Sequence, residues 1–293
     1  MAGRSALLAC ALAAVAYVTV ASPASAPTAA AAAVAGAAAA SSRQPIVQLM
    51  GRFSPGSKGE YASLPQWMTW AASSATVAFE GSSSVTVVLD GSKAAFPNAD
   101  EWVFTSKSTV PEAVLEFDLD GKPAGTSKLT KASPVLTWRK AGLSPGRHTL
   151  RITKLSEARF GGALLKGIGL SASGRFVAPP ATPGQLSDRR MLFLGDSVTA
   201  GSGSAGDRSC SLLDASVQNA LRAYGPLTAG QLEANFQLLG FSGATVAVPR
   251  LNSGKDWTEA VQRLYLPRMQ DLLPKADALG PLPLYNLSAF VPQ

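Results

Sequence analysis

A short apolar run, Met191-Leu-Phe-Leu194, ends in Gly195-Asp196-Ser197 and continues as Val198-Thr-Ala-Gly201. A buried strand that stops on such a triplet would leave Ser197 at the carboxyl edge of a sheet, where open α/β folds hold their ligands. A serine in that position can attack an ester carbonyl. It needs a base to take its proton and backbone N–H groups of the following turn to stabilise the oxyanion. Gly195 suits the same chemistry, because a residue without Cβ lets the chain turn tightly. Asp and Ser are also among the commonest helix caps. Taken alone, the triplet supports nucleophile and cap equally.

The base is the difficulty. A serine hydroxyl is a poor nucleophile at neutral pH unless a neighbouring group accepts its proton. The 293 residues contain one histidine, His148, within Gly146-Arg-His-Thr-Leu-Arg151. That stretch has strand character, so His148 reads as a structural or surface residue and the catalytic base is missing from this chain. The cysteines offer no alternative chemistry. Cys10 lies in the N-terminal apolar run, Cys210 stands alone, and no Cys/His cluster has metal-ligand spacing. With no phosphate loop or dinucleotide fingerprint either, neither metal nor cofactor is expected.

The elements that must position Ser197 fall into two patterns. From Ile46 to Val177 the chain alternates. Val77 and Phe79, then Val85, Val87 and Leu89, then Leu115, Phe117 and Leu119, then Leu150 and Ile152 are separated by polar or small residues, with turns at Asp90-Gly91, Asp120-Gly121 and Pro145-Gly146. Such period-two runs predict antiparallel strands with one buried face, and several of them predict a β-sandwich or jelly roll. Residues 178–189, rich in proline, read as a linker. From 190 to 293 the pattern changes to strand, helix, strand, helix. Strands are expected at Met191–Leu194 and Phe236–Phe241. One helix is expected through Leu213, Val217, Leu221 and Tyr224, ended by Gly225-Pro226, and another begins near Asp256. The predicted fold class is thus a β-sandwich followed by an incomplete, doubly wound α/β domain.

Wider context favours the catalytic reading of Ser197. Arg190-Met-Leu-Phe-Leu-Gly-Asp-Ser-Val-Thr-Ala-Gly-Ser-Gly203 resembles the first sequence block of the GDSL/SGNH esterase superfamily. Gly51-Arg-Phe53, Phe79-Glu-Gly81, Asp120-Gly121, Gly146 to Lys154 with Glu157, Gly167-Ile168, Cys210, Ala223-Tyr-Gly225 and Phe241-Ser-Gly243 resemble carbohydrate esterase family two. The resemblance implies a jelly-roll domain joined to an SGNH domain that removes acetyl groups from glycans, with Ser197 as nucleophile. It further implies that the N–H of Gly243 joins that of Ser197 in the oxyanion hole. The family's Gly-x-Asn-Asp block and its Asp-x-x-His base have no counterpart after Gly243. Tyr285 to Gln293 corresponds to the approach to the family's third core strand, so the domain reads as C-terminally truncated.

Composition narrows the partners. The chain is 46% hydrophobic and 15% charged, as a globular protein is. Its 26 basic residues give a net charge of +7 but form no run and no aromatic ladder, which argues against nucleic acid. Arg4 followed by the apolar run Ala6–Val20 and Ala24-Ser-Ala26 predicts a signal peptide over 1–26 and secretion. Residues 27–45 form an alanine-rich spacer. Trp67, Trp70 and Trp102 could stack on sugars, although buried sandwich aromatics are the commoner use. The expectation is a secreted serine ester hydrolase of acetylated polysaccharide that is inactive as given. A non-catalytic glycan-binding protein or a non-functional fragment are the alternatives.

Overall fold

The computed structural model describes residues 45–51, 53–54, 61–62, 64, 66–91, 112–130, 132–180, 189–207, 209–210, 214–240 and 242. The strands run in chain order β1 (Val47–Met50), β2 (Phe53–Ser54), β3 (Tyr61–Ala62), β4 (Gln66–Met68), β5 (Ser74–Glu80), β6 (Ser84–Asp90) and β7 (Ala113–Leu119). They continue as β8 (Lys122–Leu129), β9 (Val135–Ala141), β10 (Arg147–Lys154), β11 (Ala163–Leu170), β12 (Arg175–Val177), β13 (Arg190–Gly195) and β14 (Asn235–Gly240). One α-helix, α1, covers Tyr224–Gln231 among the described residues.

The first twelve strands form two antiparallel sheets. One has the order β3-β1-β5-β10-β7-β8, with β12 also pairing to β5, and the other has the order β2-β4-β11-β6-β9. Val77, Phe79, Leu115, Phe117, Leu150 and Ile152 of the first sheet share one apolar core with Val85, Val87 and Leu89 of the second. This is the face that the alternation marked, and the β-sandwich is as expected. Burying each such side chain contributes about 1.5–3 kcal/mol. The alternation is incomplete at β5, whose outward positions Thr76 and Ala78 are buried as well.

The turns also follow the sequence. Asp120 and Gly121 join β7 to β8 with φ of 57° and 75°. Two consecutive left-handed residues are what a two-residue hairpin requires to match the twist of its strands. Trp67 and Trp70 are buried in the interior, so they are not sugar platforms. Trp102, like the helix expected near Asp256, lies outside the described residues.

Beyond the sandwich, β13 and β14 pair in parallel, in register from Arg190 with Asn235 to Gly195 with Gly240. The helix between them corrects the expectation from spacing. Ala215–Val217 and Ala220–Arg222 are separate 3-10 turns, and α1 begins at Tyr224, where the helix was expected to end. The side chains of Asp214 and Asn219 accept the N–H groups of Ser216 and Leu221, so each starts a new short turn and no continuous helix forms. Gly225 and Pro226 open α1 instead of closing one. A proline in the first helical turn sacrifices no internal hydrogen bond.

The two parts share a second apolar cluster. Ala71 and Ala72, between β4 and β5, pack with Met191 and Phe193 of β13 and with Phe236 and Leu238 of β14.

Candidate active site

At the carboxyl ends of β13 and β14 the backbones come unusually close. A Cβ on Gly240 would lie 2.5 Å from the amide nitrogen of Ala200, and one on Gly195 would meet Thr199 Oγ1 at 2.0 Å. Gly195 therefore does make the turn possible, and Gly240 clears the space into which that turn folds. Thr199, fully buried, exchanges a hydrogen bond with the Tyr224 hydroxyl at 2.9 Å. This fixes the turn to the start of α1.

Within the triplet Asp196 closes a local turn: its Oδ1 accepts the Val198 N–H at 3.0 Å and its carbonyl accepts that of Ala200 at 3.1 Å. Ser197 is half-buried beside the exposed Val198, and its hydroxyl makes no hydrogen bond among the described residues. Its carbonyl accepts the Ser202 N–H at 2.9 Å, which closes the turn beneath it. Gly243, the expected second oxyanion donor, lies outside the described residues. Its neighbour Ser242 is described.

Ser242 is held by the sandwich. The Glu157 carboxylate accepts the Ser242 N–H at 2.9 Å on Oε2, and the Ser242 hydroxyl donates to Oε1 at 2.7 Å and to Oε2 at 2.9 Å. Glu157 follows β10 and is fully buried. Its N–H donates to Gln218 Oε1 at 3.1 Å, and Gln218 Nε2 donates to the Ser202 hydroxyl at 3.0 Å. Close by, Lys154 is also fully buried, and its Nζ donates to the carbonyls of Ser156 at 2.5 Å and Glu157 at 3.0 Å. Burial pulls its pKa from 10.5 down to about 7, against the opposing charge of Glu157. In the sequence, Lys154 and Glu157 stood out only as parts of a resemblance pattern, with no role attached to either. The available signal was parity, since Lys154 continues the inward positions of Leu150 and Ile152.

His148 is occupied elsewhere. On β10 it pairs through Nδ1 with Asp120 Oδ2 at 2.7 Å, and its Nε2 lies 3.0 Å from the Ser144 carbonyl. Asp120 Oδ1 also accepts the Thr149 N–H at 2.7 Å. Asp120-Gly121 and Gly146-Arg-His-Thr149 are thus two halves of one structural knot, as the strand reading of His148 expected. Burial opposes protonation, but the hydrogen bonds to Asp120 and Ser144 and the Asp120 charge leave its pKa raised above 6.5. A raised pKa stabilises the fold fully below 6.5, and that contribution fades as pH climbs past the raised value. His148→Gln is therefore expected to lower the melting temperature by about 4 °C near pH 5.5, with the deficit shrinking toward pH 8.5. Thermal melts of both proteins across that range provide the check.

Residues 49–180 match the family model Carbohydrate esterase 2 N-terminal. An acetylxylan esterase / glucomannan deacetylase of Cellvibrio japonicus is 35% identical over 109 residues, which are 34% of this chain and 27% of that protein. The matched stretch thus spans about a quarter of that relative's length. A family two carbohydrate esterase from Clostridium thermocellum, solved in complex with cellohexaose, shares the fold with a TM-score of 0.61. It is 21% identical and the match covers 84% of this chain and 63% of that one. A family two carbohydrate esterase from Cellvibrio japonicus matches with a TM-score of 0.59 at 17% identity, over 94% of this chain and 65% of that one. The family-model match over residues 49–180, the curated relative and the shared fold together support a relationship of the chain to carbohydrate esterase family two.

Proposed function

We propose that this chain is built as a serine ester hydrolase of the SGNH type, exported by way of residues 1–26, that takes O-acetyl groups from polysaccharide. In this reading a jelly-roll sandwich carries an α/β hydrolase domain, and Ser197 is the nucleophile. The observation that carries the proposal is the convergence of the Ser197 turn and the Ser242 segment at the ends of two parallel strands. The relationship to an acetylxylan esterase / glucomannan deacetylase supports the substrate class.

The chemistry follows from the groups present. Ser197 Oγ loses its proton to a base and attacks the acetyl carbonyl carbon, and the N–H groups of Ser197 and Gly243 donate to the resulting oxyanion. Collapse expels the sugar oxygen, which takes up the proton, and water then releases acetate from the acetyl-serine. The base is left unassigned in this reading, because His148, the one histidine of the sequence, is bound to Asp120 and Ser144. Losing such a base lowers turnover on the order of 10⁴- to 10⁶-fold. The unassigned base supports a second reading, in which the chain binds acetylated glycan without turning it over.

Acetate release from acetylated xylan and glucomannan, measured with imidazole added as a replacement base, tests the first reading. It predicts release that rises with imidazole and vanishes in Ser197→Ala. Retention of both proteins on the polysaccharide without Ser197-dependent release would favour the second reading, and inertness toward glycans and small acetyl esters alike would defeat the first.

A further inference from the structure

The two segments that meet at the strand ends are both tied to one residue of the other domain. Glu157 grips Ser242 with its carboxylate through three contacts of 2.7–2.9 Å. Through its backbone N–H it reaches the Ser197 turn by way of Gln218 and Ser202, whose N–H in turn binds the Ser197 carbonyl. The adjacent backbone adds a third tie, since the Ala220 N–H donates to the Leu155 carbonyl at 3.0 Å. Glu157 is separated from Ser242 by 85 positions and both of its grips cross between domains.

We propose that Glu157 is a positioning residue for the esterase site, contributed by the β-sandwich, which sets the Ser242 segment against the Ser197 turn. The inference rests on the reading of Ser197 as nucleophile. A carboxylate removed from water is costly unless it is hydrogen-bonded, and here the Ser242 N–H and hydroxyl both donate to it. Bonds to an ionised acceptor are stronger and more directional than neutral ones, so they fix position as well as contact. In the family pattern the residue after Ser242 donates to the oxyanion. Displacements of about 1 Å at such a group cost on the order of 10²-fold in rate. The sandwich is then part of the catalytic scaffold, and its seam with the α/β part holds the site together.

Glu157→Gln keeps the size of the side chain and one acceptor oxygen, whereas Glu157→Ala removes both. The readouts are melting temperature, amide hydrogen exchange of Ser242 and of residues 196–204, and imidazole-supported, Ser197-dependent hydrolysis of a small acetyl ester. In Glu157→Gln we expect melting within about 5 °C of the wild type. Exchange should be faster by roughly 10-fold in both segments but not in β5 or β10. The maximal rate should fall about 10- to 100-fold with KM within about twofold. Glu157→Ala should show the same pattern more strongly. Unchanged exchange in both segments, or faster exchange with an unchanged rate, would overturn the proposal. If the wild type itself shows no Ser197-dependent rate, the nucleophile reading fails alone. Exchange then decides whether Glu157 holds the two segments.

Discussion

Gly240→Val is expected to be recovered unfolded, or to melt at least about 10 °C below the wild type. The reason is that β14 and the turn after β13 touch backbone to backbone. A Cβ at position 240 would sit 2.5 Å from the Ala200 nitrogen, 2.8 Å from its Cα and 3.0 Å from its Cβ. None of these atoms can rotate away, so relief requires separating the strand end from the turn. Overpacking a core typically costs about 1–3 kcal/mol even when side chains can adjust, and here they cannot. Gly195→Ala is expected to be milder. Only one of its contacts is closer than 2.9 Å, that with Thr199 Oγ1, which can turn aside at the expense of its bond to Tyr224, so the backbone need shift only enough to relieve Thr199 Cβ at 2.9 Å. Gly230→Ala serves as the control, because that position in α1 is exposed and nothing lies within 4 Å of the added carbon. It should be neutral or stabilising by up to about 1 kcal/mol. Thermal melts rank the three, and a Gly240→Val protein that melts with the wild type would refute the close approach.

The second large effect concerns pH. Lys154 titrates at about 7 in the folded protein and near 10.5 when exposed. Between those values the unfolded chain binds a proton that the native protein has released, so stability rises with pH across this window and is flat below it. The slope from one such group approaches about 1.4 kcal/mol per pH unit. Lys154→Met is expected to remove that slope. Its melting temperature relative to the wild type should therefore fall as pH climbs from 7 toward 10. The variant also loses the donor to the Ser156 and Glu157 carbonyls, which lowers its stability at every pH without affecting the slope. Parallel pH dependences for the two proteins would show that Lys154 keeps an ordinary pKa.

Local physics explains what could be read from the sequence. Alternation marked the core faces of β6, β7 and β10 because burial on a strand has a period of two, and a pair such as Asp120-Gly121 permits few turns. The short apolar runs at Met191 and Phe236 likewise located a buried parallel pair within a residue or two. The helix between them was misjudged because Gly225-Pro226 punctuates a chain in either direction, and only the capping by Asp214 and Asn219 decides which. The same limit hid the Glu157 contacts with Ser242. Side-chain hydrogen bonds across 85 positions leave no periodic trace in a single sequence. Lys154 did leave one, as a charge on an inward position of β10.

The most direct test of Ser197 as an ester nucleophile is to treat the protein with an activated acetyl ester in the presence of imidazole and map the acetyl group by mass spectrometry. A nucleophilic Ser197 predicts an acetyl group on that residue and hydrolysis above background that increases with imidazole, both absent in Ser197→Ala. Hydrolysis by Ser197→Ala at the wild-type rate, or an acetyl group carried only by other residues, would contradict it.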